Sequence, residues 1–345
     1  MPKEGFNSIT VSDTLHKKVS DFVEKSGGLI SNKTQAISQA WQIYENIFLG
    51  EKKPKPIKIG DKLIGHEHPI FVVAEIGINH NGNVEICKKL IDMAVETGCD
   101  AVKFQKRTIE LQYTQEELNK PRESPFGTTN RDLKNGLEFN EEEYREIDEY
   151  CKKRGIVWFA SPWDIPSVDF LEKFNIPCYK IASACLTNKE LLLKIKETGK
   201  PIILSTGMST MEQVNAAVKL LGEENLIILH CTSTYPTSEK EHNLNTIKTF
   251  RKYFNCPIGY SGHEVSIWPT IIAASLGACV LERHITLDRA MFGSDQSASV
   301  ERKGMQIIND VVKLIPTYLG KHEKIVHDSE LPIIKKLRKI NSLDL

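Results

Sequence analysis

Ile70-Phe71-Val72-Val73-Ala74-Glu75 is the stretch from which the fold can be read. An unbroken apolar run is what a strand covered on both faces requires, and here it stops on a carboxylate. Helical spacing follows, and the unit then recurs. Further apolar runs begin near Ala101, Ile156, Cys178, Ile202, Leu226, Pro257 and Cys279, separated by amphipathic helical stretches. Eight such units in about 250 residues predict an α/β protein, a closed (β/α)8 TIM barrel. An open doubly wound sheet is the alternative.

In a β/α barrel, chemistry gathers where the strands end, because the loops there line the open mouth. Every predicted strand finishes on polar groups. The first gives Glu75, the second Lys103 and Gln105, the third Ser161, the fourth Lys180 and Ser183, and the fifth Ser205. His230 ends the sixth, Ser261 and His263 the seventh, Glu282 and His284 the eighth. A lysine inside an apolar strand is costly to bury without an anion, so Lys103 and Lys180 predict a negatively charged ligand. With the serine hydroxyls, a compact phosphate-bearing acid fits. His263 and His284 fall on neighbouring strands and can converge on one divalent ion: manganese, iron, zinc or magnesium. Glu282 lies two residues before His284, hence on the same strand face, and with Glu75 is the acid/base candidate. Glu75 can also be read as an inward acid paired with Lys103.

Outward from the barrel, Ile57-Lys58-Ile59-Gly60-Asp61-Lys62-Leu63-Ile64 predicts a hairpin with a Gly-Asp turn. Before it, 51–56 reads as a stiff charged linker. Residues 1–50 read as a strand and two helices, a unit too small to bury its own apolar face, so it is expected to pair with a copy of itself in a homodimer or higher homo-oligomer. The order of its elements resembles the ribbon-helix-helix fold, some members of which read DNA. Lys3, Lys17, Lys18, Lys25 and Lys33 are matched there by Glu4, Asp13, Asp21, Glu24 and Glu45, which leaves no strong electrostatic footprint for DNA, and dimerisation is the expected role. Over the whole chain 45 basic residues balance 45 acidic ones, so any anion site must be local. No apolar run is long enough to span a bilayer and no signal core opens the sequence, so a cytoplasmic protein is expected. The eight cysteines include no Cys-x-x-Cys pair and read as buried thiols.

Ala-Glu-Ile-Gly-Ile-Asn-His-Asn-Gly (74–82), Val-Lys-Phe-Gln (102–105), Tyr-Lys-Ile-Ala-Ser (179–183), Leu-Ser-Thr-Gly-Met (204–208), His-Cys-Thr-Ser-Thr-Tyr-Pro (230–236), Gly-Tyr-Ser-Gly-His (259–263) and Leu-Glu-Arg-His-Ile-Thr (281–286) together resemble the sialic acid synthase family, over residues 57 to 340. The resemblance implies condensation of phosphoenolpyruvate with an open-chain N-acetylhexosamine, such as N-acetylmannosamine or a related sugar, possibly phosphorylated. It implies that Lys103, Gln105, Ser161, Lys180, Ser183, Ser205 and Ser261 hold phosphoenolpyruvate. It further implies that His263 and His284 hold Mn2+ or Mg2+, that Glu75 handles a proton, and that Tyr235, Glu282 and Asp295 meet the sugar. Family members usually add a C-terminal antifreeze-like domain whose arginine contacts the sugar; none is expected before Leu345, and Ser233 stands where well-known members have asparagine. Arg122 or Arg131, in the long loop after the second strand, is the expected substitute. A sugar-sensing DNA-binding regulator and a synthase of a shorter 3-deoxy ketoacid phosphate are the other readings.

Overall fold

In a computed structural model describing residues 20–21, 53–321 and 323–338, eight parallel strands close into a barrel. In chain order they are β1 (Phe71–Gly77), β2 (Ala101–Lys106), β3 (Val157–Pro162), β4 (Tyr179–Ile181), β5 (Ile202–Ser205), β6 (Leu226–Cys231), β7 (Ile258–Gly262) and β8 (Val280–His284). Each starts within one residue of its expected position. β8 pairs with β1, His284 opposite Glu75, which closes the ring. The outer layer is α1 (Val84–Glu96), α2 (Glu141–Arg154), α3 (Ile165–Glu172), α4 (Lys189–Glu197), α5 (Met211–Leu221), α6 (Asn245–Tyr253), α7 (Trp268–Ser275) and α8 (Arg302–Leu319). The expected strand-helix-helix unit of residues 1–50, and the start of the linker, lie outside the described residues apart from 20–21.

Local signals place the helices. Asn140 accepts from the Glu143 amide while the Glu143 carboxylate takes the Asn140 N–H, a reciprocal cap that starts α2; Gly155, at φ +67°, ends it. Thr210 and Gln213 start α5 in the same way. The hairpin forms as expected, Ile57–Ile59 against Lys62–Ile64, and its buried Ile57, Ile59 and Ile64 join the main core. Lys62 pairs with Asp100, the residue before β2, so this hairpin seals the end of the barrel away from the mouth.

The loop between β2 and α2 carries more structure than its sequence suggested. Short helices at Ile109–Gln112, Gln115–Leu118 and Asn130–Gly136 flank a second hairpin, Pro121–Ser124 against Gly127–Thr129. Phe126, at its turn, packs on a small apolar cluster of Ile78, Leu133 and Leu137. A Cβ at Gly136 would strike the Phe126 ring, and one at Gly82 would strike the Gly136 carbonyl. Two glycines thus let this hairpin lie against the loop leaving β1. Among the described residues no helix is long and apolar enough to cross a membrane. All eight cysteines are free thiols, seven of them buried.

Candidate active site

Strand alternation brings the expected residues into one cavity. Lys103 Nζ lies 2.9 Å from Glu75 Oε2 and 3.7 Å from Glu282 Oε1, and it donates to Ser161 Oγ at 3.1 Å. Lys180 Nζ is 3.6 Å from the same Glu282 oxygen and donates to Ser205 Oγ at 2.6 Å. Ser261 Oγ donates to Glu282 Oε1 at 3.1 Å, and Gln105 Nε2 donates to Glu75 Oε1 at 3.1 Å. Seven strand ends therefore meet on two carboxylates and two ammonium groups, all four charged side chains almost wholly buried. The lysines have internal anionic partners, so their burial alone does not require a ligand, and the pairing of Glu75 with Lys103 is present. Ser183 sits at the rim, where it accepts from the Gly207 amide at 3.0 Å and donates to Cys231 Sγ at 3.6 Å.

Burial and paired charge set the proton affinities. Burial pushes the Glu75 carboxyl above its ordinary range, with Lys103 pulling it back and Glu282 adding like-charge repulsion. Glu282 feels the same burial, yet Lys103 and Lys180 together hold it below its ordinary value. Burial opposes charge on both lysines; in Lys103 the two carboxylates prevail and its pKa rises, whereas Lys180 falls.

The two histidines stand beside this group, ring centroids 5.5 Å apart. His263 Nδ1–H donates to the Thr232 carbonyl at 2.8 Å, which fixes the tautomer and leaves the Nε2 lone pair free to accept; the Tyr235 hydroxyl meets it at 2.7 Å. Burial pushes His284 down to about 3, against the pull of Asp295 whose Oδ2 lies 3.8 Å from Nδ1, so its ring is neutral. That Nδ1 is buried without a hydrogen-bond partner among the described residues. Two imidazoles at adjacent strand ends fit a divalent cation: that of His284 is neutral with an unsatisfied nitrogen, while against the effect of burial neighbouring Cys231 raises the proton affinity of His263. Among the described residues no group of three or more His, Cys, Asp or Glu is arranged to hold a metal ion, and a site on two histidines would take its other ligands from water or substrate oxygen.

Two expectations need adjustment. His230 does not join the ring of polar strand ends: it packs against Phe250 and Tyr260 and bonds the His242 carbonyl at 2.6 Å, leaving Cys231 beside His263. Arg131 is engaged by Glu110 and by Gln115 at 2.6 Å. Arg122 lies exposed on the second hairpin and has no ion pair among the described residues. The sequence reading also missed a buried pair behind the histidines, Arg283 with Glu264, at 2.7 Å. Its signal was available: Arg283 alternates with Glu282 and His284, so if those point inward it must point out of the barrel and needs an anion there.

Comparison with known proteins adds an independent line. The NeuB family pattern matches residues 90–324. N-acetylneuraminate-9-phosphate synthase of Homo sapiens is 40% identical over 282 residues, 80% of this chain and 78% of the human protein. N,N'-diacetyllegionaminic acid synthase of Legionella pneumophila is 33% identical over 290 residues, 81% and 82% of the two chains. The crystal structure of N-acetylneuraminic acid synthetase from Leptospira borgpetersenii, in complex with citrate, superimposes with a TM-score of 0.73 at 29% identity, covering 84% of this chain and 99% of that one.

Proposed function

The chain belongs to the NeuB family, and from that premise we propose that it condenses phosphoenolpyruvate with an N-acetylhexosamine, N-acetylmannosamine or a relative, to give a sialic-acid-like 3-deoxy-2-ketononulosonate and phosphate. The observation that carries this reading is the buried quartet of Lys103, Lys180, Glu75 and Glu282 beside two adjacent histidines. Lysines and serine hydroxyls on strands from β2 to β7 suit a small acid bearing both carboxylate and phosphate.

In this proposal Lys103, Lys180, Gln105, Ser161, Ser183, Ser205 and Ser261 hold phosphoenolpyruvate. Carbon 3 of the enol attacks the sugar aldehyde, positive charge develops at carbon 2, water adds there, and the bond to the phosphate oxygen then breaks. Glu75, its pKa raised by burial, moves a proton at the reacting carbons. Glu282, kept ionised by two lysines, offers a fixed negative charge beside the developing cation. Tyr235 and Asp295 line the side occupied by the sugar, and Arg122 is available to an anionic group on it. His263 and His284 are the residues that would hold a divalent ion, Mn2+ or Mg2+, whose Lewis acidity would polarise the aldehyde oxygen. We further place the enzyme in the cytoplasm as a homodimer or higher homo-oligomer, a state that light scattering of the full chain measures.

The test offers a panel of hexosamines and their 6-phosphates with phosphoenolpyruvate and Mn2+, and weighs the products by mass spectrometry. One aldose gaining a three-carbon keto acid unit, with stoichiometric phosphate release, is expected. Absence of product from every aldose overturns the proposal.

A further inference from the structure

We infer that the buried pair of Arg283 and Glu264 is the positioning device of the histidine pair, tying the backbone just before His284 to the backbone just after His263 and so setting how far apart the two imidazoles stand. This rests on the reading of those histidines as metal-holding.

The argument begins with alternation. Ser261 and Glu282 face the cavity, and their hydrogen bond crosses from β7 to β8 inside the barrel. Arg283 points the other way, toward α7, and is 1% exposed. Its guanidinium makes a fan of bonds to the segment that follows His263. Nη1 donates to Glu264 Oε1 at 2.7 Å and to the Ser266 carbonyl at 3.1 Å, and Nη2 donates to the Glu264 carbonyl. Thr270 of α7 joins them: its hydroxyl accepts from Arg283 Nη1 at 2.7 Å and donates to Glu264 Oε1 at 2.8 Å. Tyr260 takes the remaining carboxylate oxygen at 2.9 Å. One side chain next to His284 therefore grips both main chain and side chain next to His263.

Gly262 makes room for this arrangement. A Cβ there would come within 2.5 Å of Glu264 Oε2 and 2.7 Å of the Tyr260 ring, so any larger residue would push the carboxylate off the strand. A buried ion pair is a poor source of stability, because well-packed apolar residues commonly do as well once desolvation is counted. What apolar packing lacks is direction. A planar fork bonded to a carboxylate and two carbonyls fixes the path of a loop, and residues behind metal ligands commonly change affinity by 10- to 100-fold when altered.

The experiment compares wild type with Glu264→Gln, which keeps shape and removes the charge, and Thr270→Val, which keeps both charges and removes the relaying hydroxyl. Mn2+ is titrated into each metal-free protein by calorimetry, phosphoenolpyruvate affinity is measured separately, and metal-free melting temperature reports folding. Mn2+ binding about tenfold weaker in Glu264→Gln and about threefold weaker in Thr270→Val, with phosphoenolpyruvate affinity within twofold, is expected. Unchanged Mn2+ affinity in a folded Glu264→Gln overturns the inference, as does a parallel loss of both affinities, which would mean general loosening. If Glu264→Gln does not fold, Thr270→Val decides alone by the same criteria. A wild-type protein that binds no Mn2+ overturns the metal reading itself, and this inference with it.

Discussion

Glu75 and Glu282 bring the same carboxyl group into the same cavity and leave it with opposite proton affinities, because one has a lysine and a carboxylate for neighbours and the other has two lysines. Glu75→Gln tests the proton role most directly. The amide still accepts from Gln105, and Lys103 keeps Glu282 at 3.7 Å. The fold should hold while kcat falls about 10²- to 10⁴-fold; steady-state kinetics within tenfold of wild type would remove Glu75 from proton transfer. His80 gives a residue-scale stability prediction. Burial, reinforced by Arg107, pushes its pKa down to about 3, and its Nδ1 accepts from the Gly82 amide at 3.0 Å. An unfolded histidine takes a proton near 6.5, so as pH falls the unfolded chain binds it first. Stability from His80 is therefore complete above about 6.5 and drains toward 3, on the order of a few kcal/mol over the whole span. Melting temperature should fall from pH 7 to pH 5, and His80→Asn, less stable at pH 7, should lose less over that interval; equal slopes would contradict this. Glu75, Lys103 and the two histidines were legible in the sequence because each ends an apolar run. The need of Arg283 for an anion outside the barrel was legible by alternation, but its partner Glu264 was not, since 19 residues separate them and only the β7–β8 register makes them neighbours.

Among elements, the strands were legible to within a residue because continuous apolar runs bounded by turns have few other uses in a barrel. The segment from Ile109 to Leu137 was not, because its hairpin is built from polar residues and gains its packing from a distant partner. Phe126 settles on Ile78, Leu133 and Leu137 only because Gly82 and Gly136 leave the space. Those contacts anchor the hairpin on the loop that leaves β1, beside Glu75's strand. Arg122 is carried on the same hairpin, exposed and without an ion pair among the described residues. Arg122→Ala is expected to raise the KM for the aldose about tenfold, roughly the 1.4 kcal/mol of one charge-assisted hydrogen bond. The KM for phosphoenolpyruvate should stay put. An unchanged aldose KM would take Arg122 out of sugar recognition.

At the scale of the molecule, closure of β8 onto β1 makes the site possible. Sequence position 75 and position 284 become neighbours, and groups from both ends of the described barrel meet in one cavity. Periodicity predicted eight strands but could not display the internal neutralisation that closure produces, in which each lysine leans on a carboxylate supplied by another strand. That neutralisation has a thermodynamic consequence. A multiply charged acid arriving at Lys103 and Lys180 brings new negative charge against Glu75 and Glu282, and like charge raises carboxyl proton affinity. Docking should therefore draw hydrogen ions from the medium, and the association constant should decline as the solution becomes more alkaline. Calorimetry in two buffers of different ionisation enthalpy would expose the transfer as a difference in observed heat, and identical heats would mean that the cavity accepts its guest without changing its own ionisation.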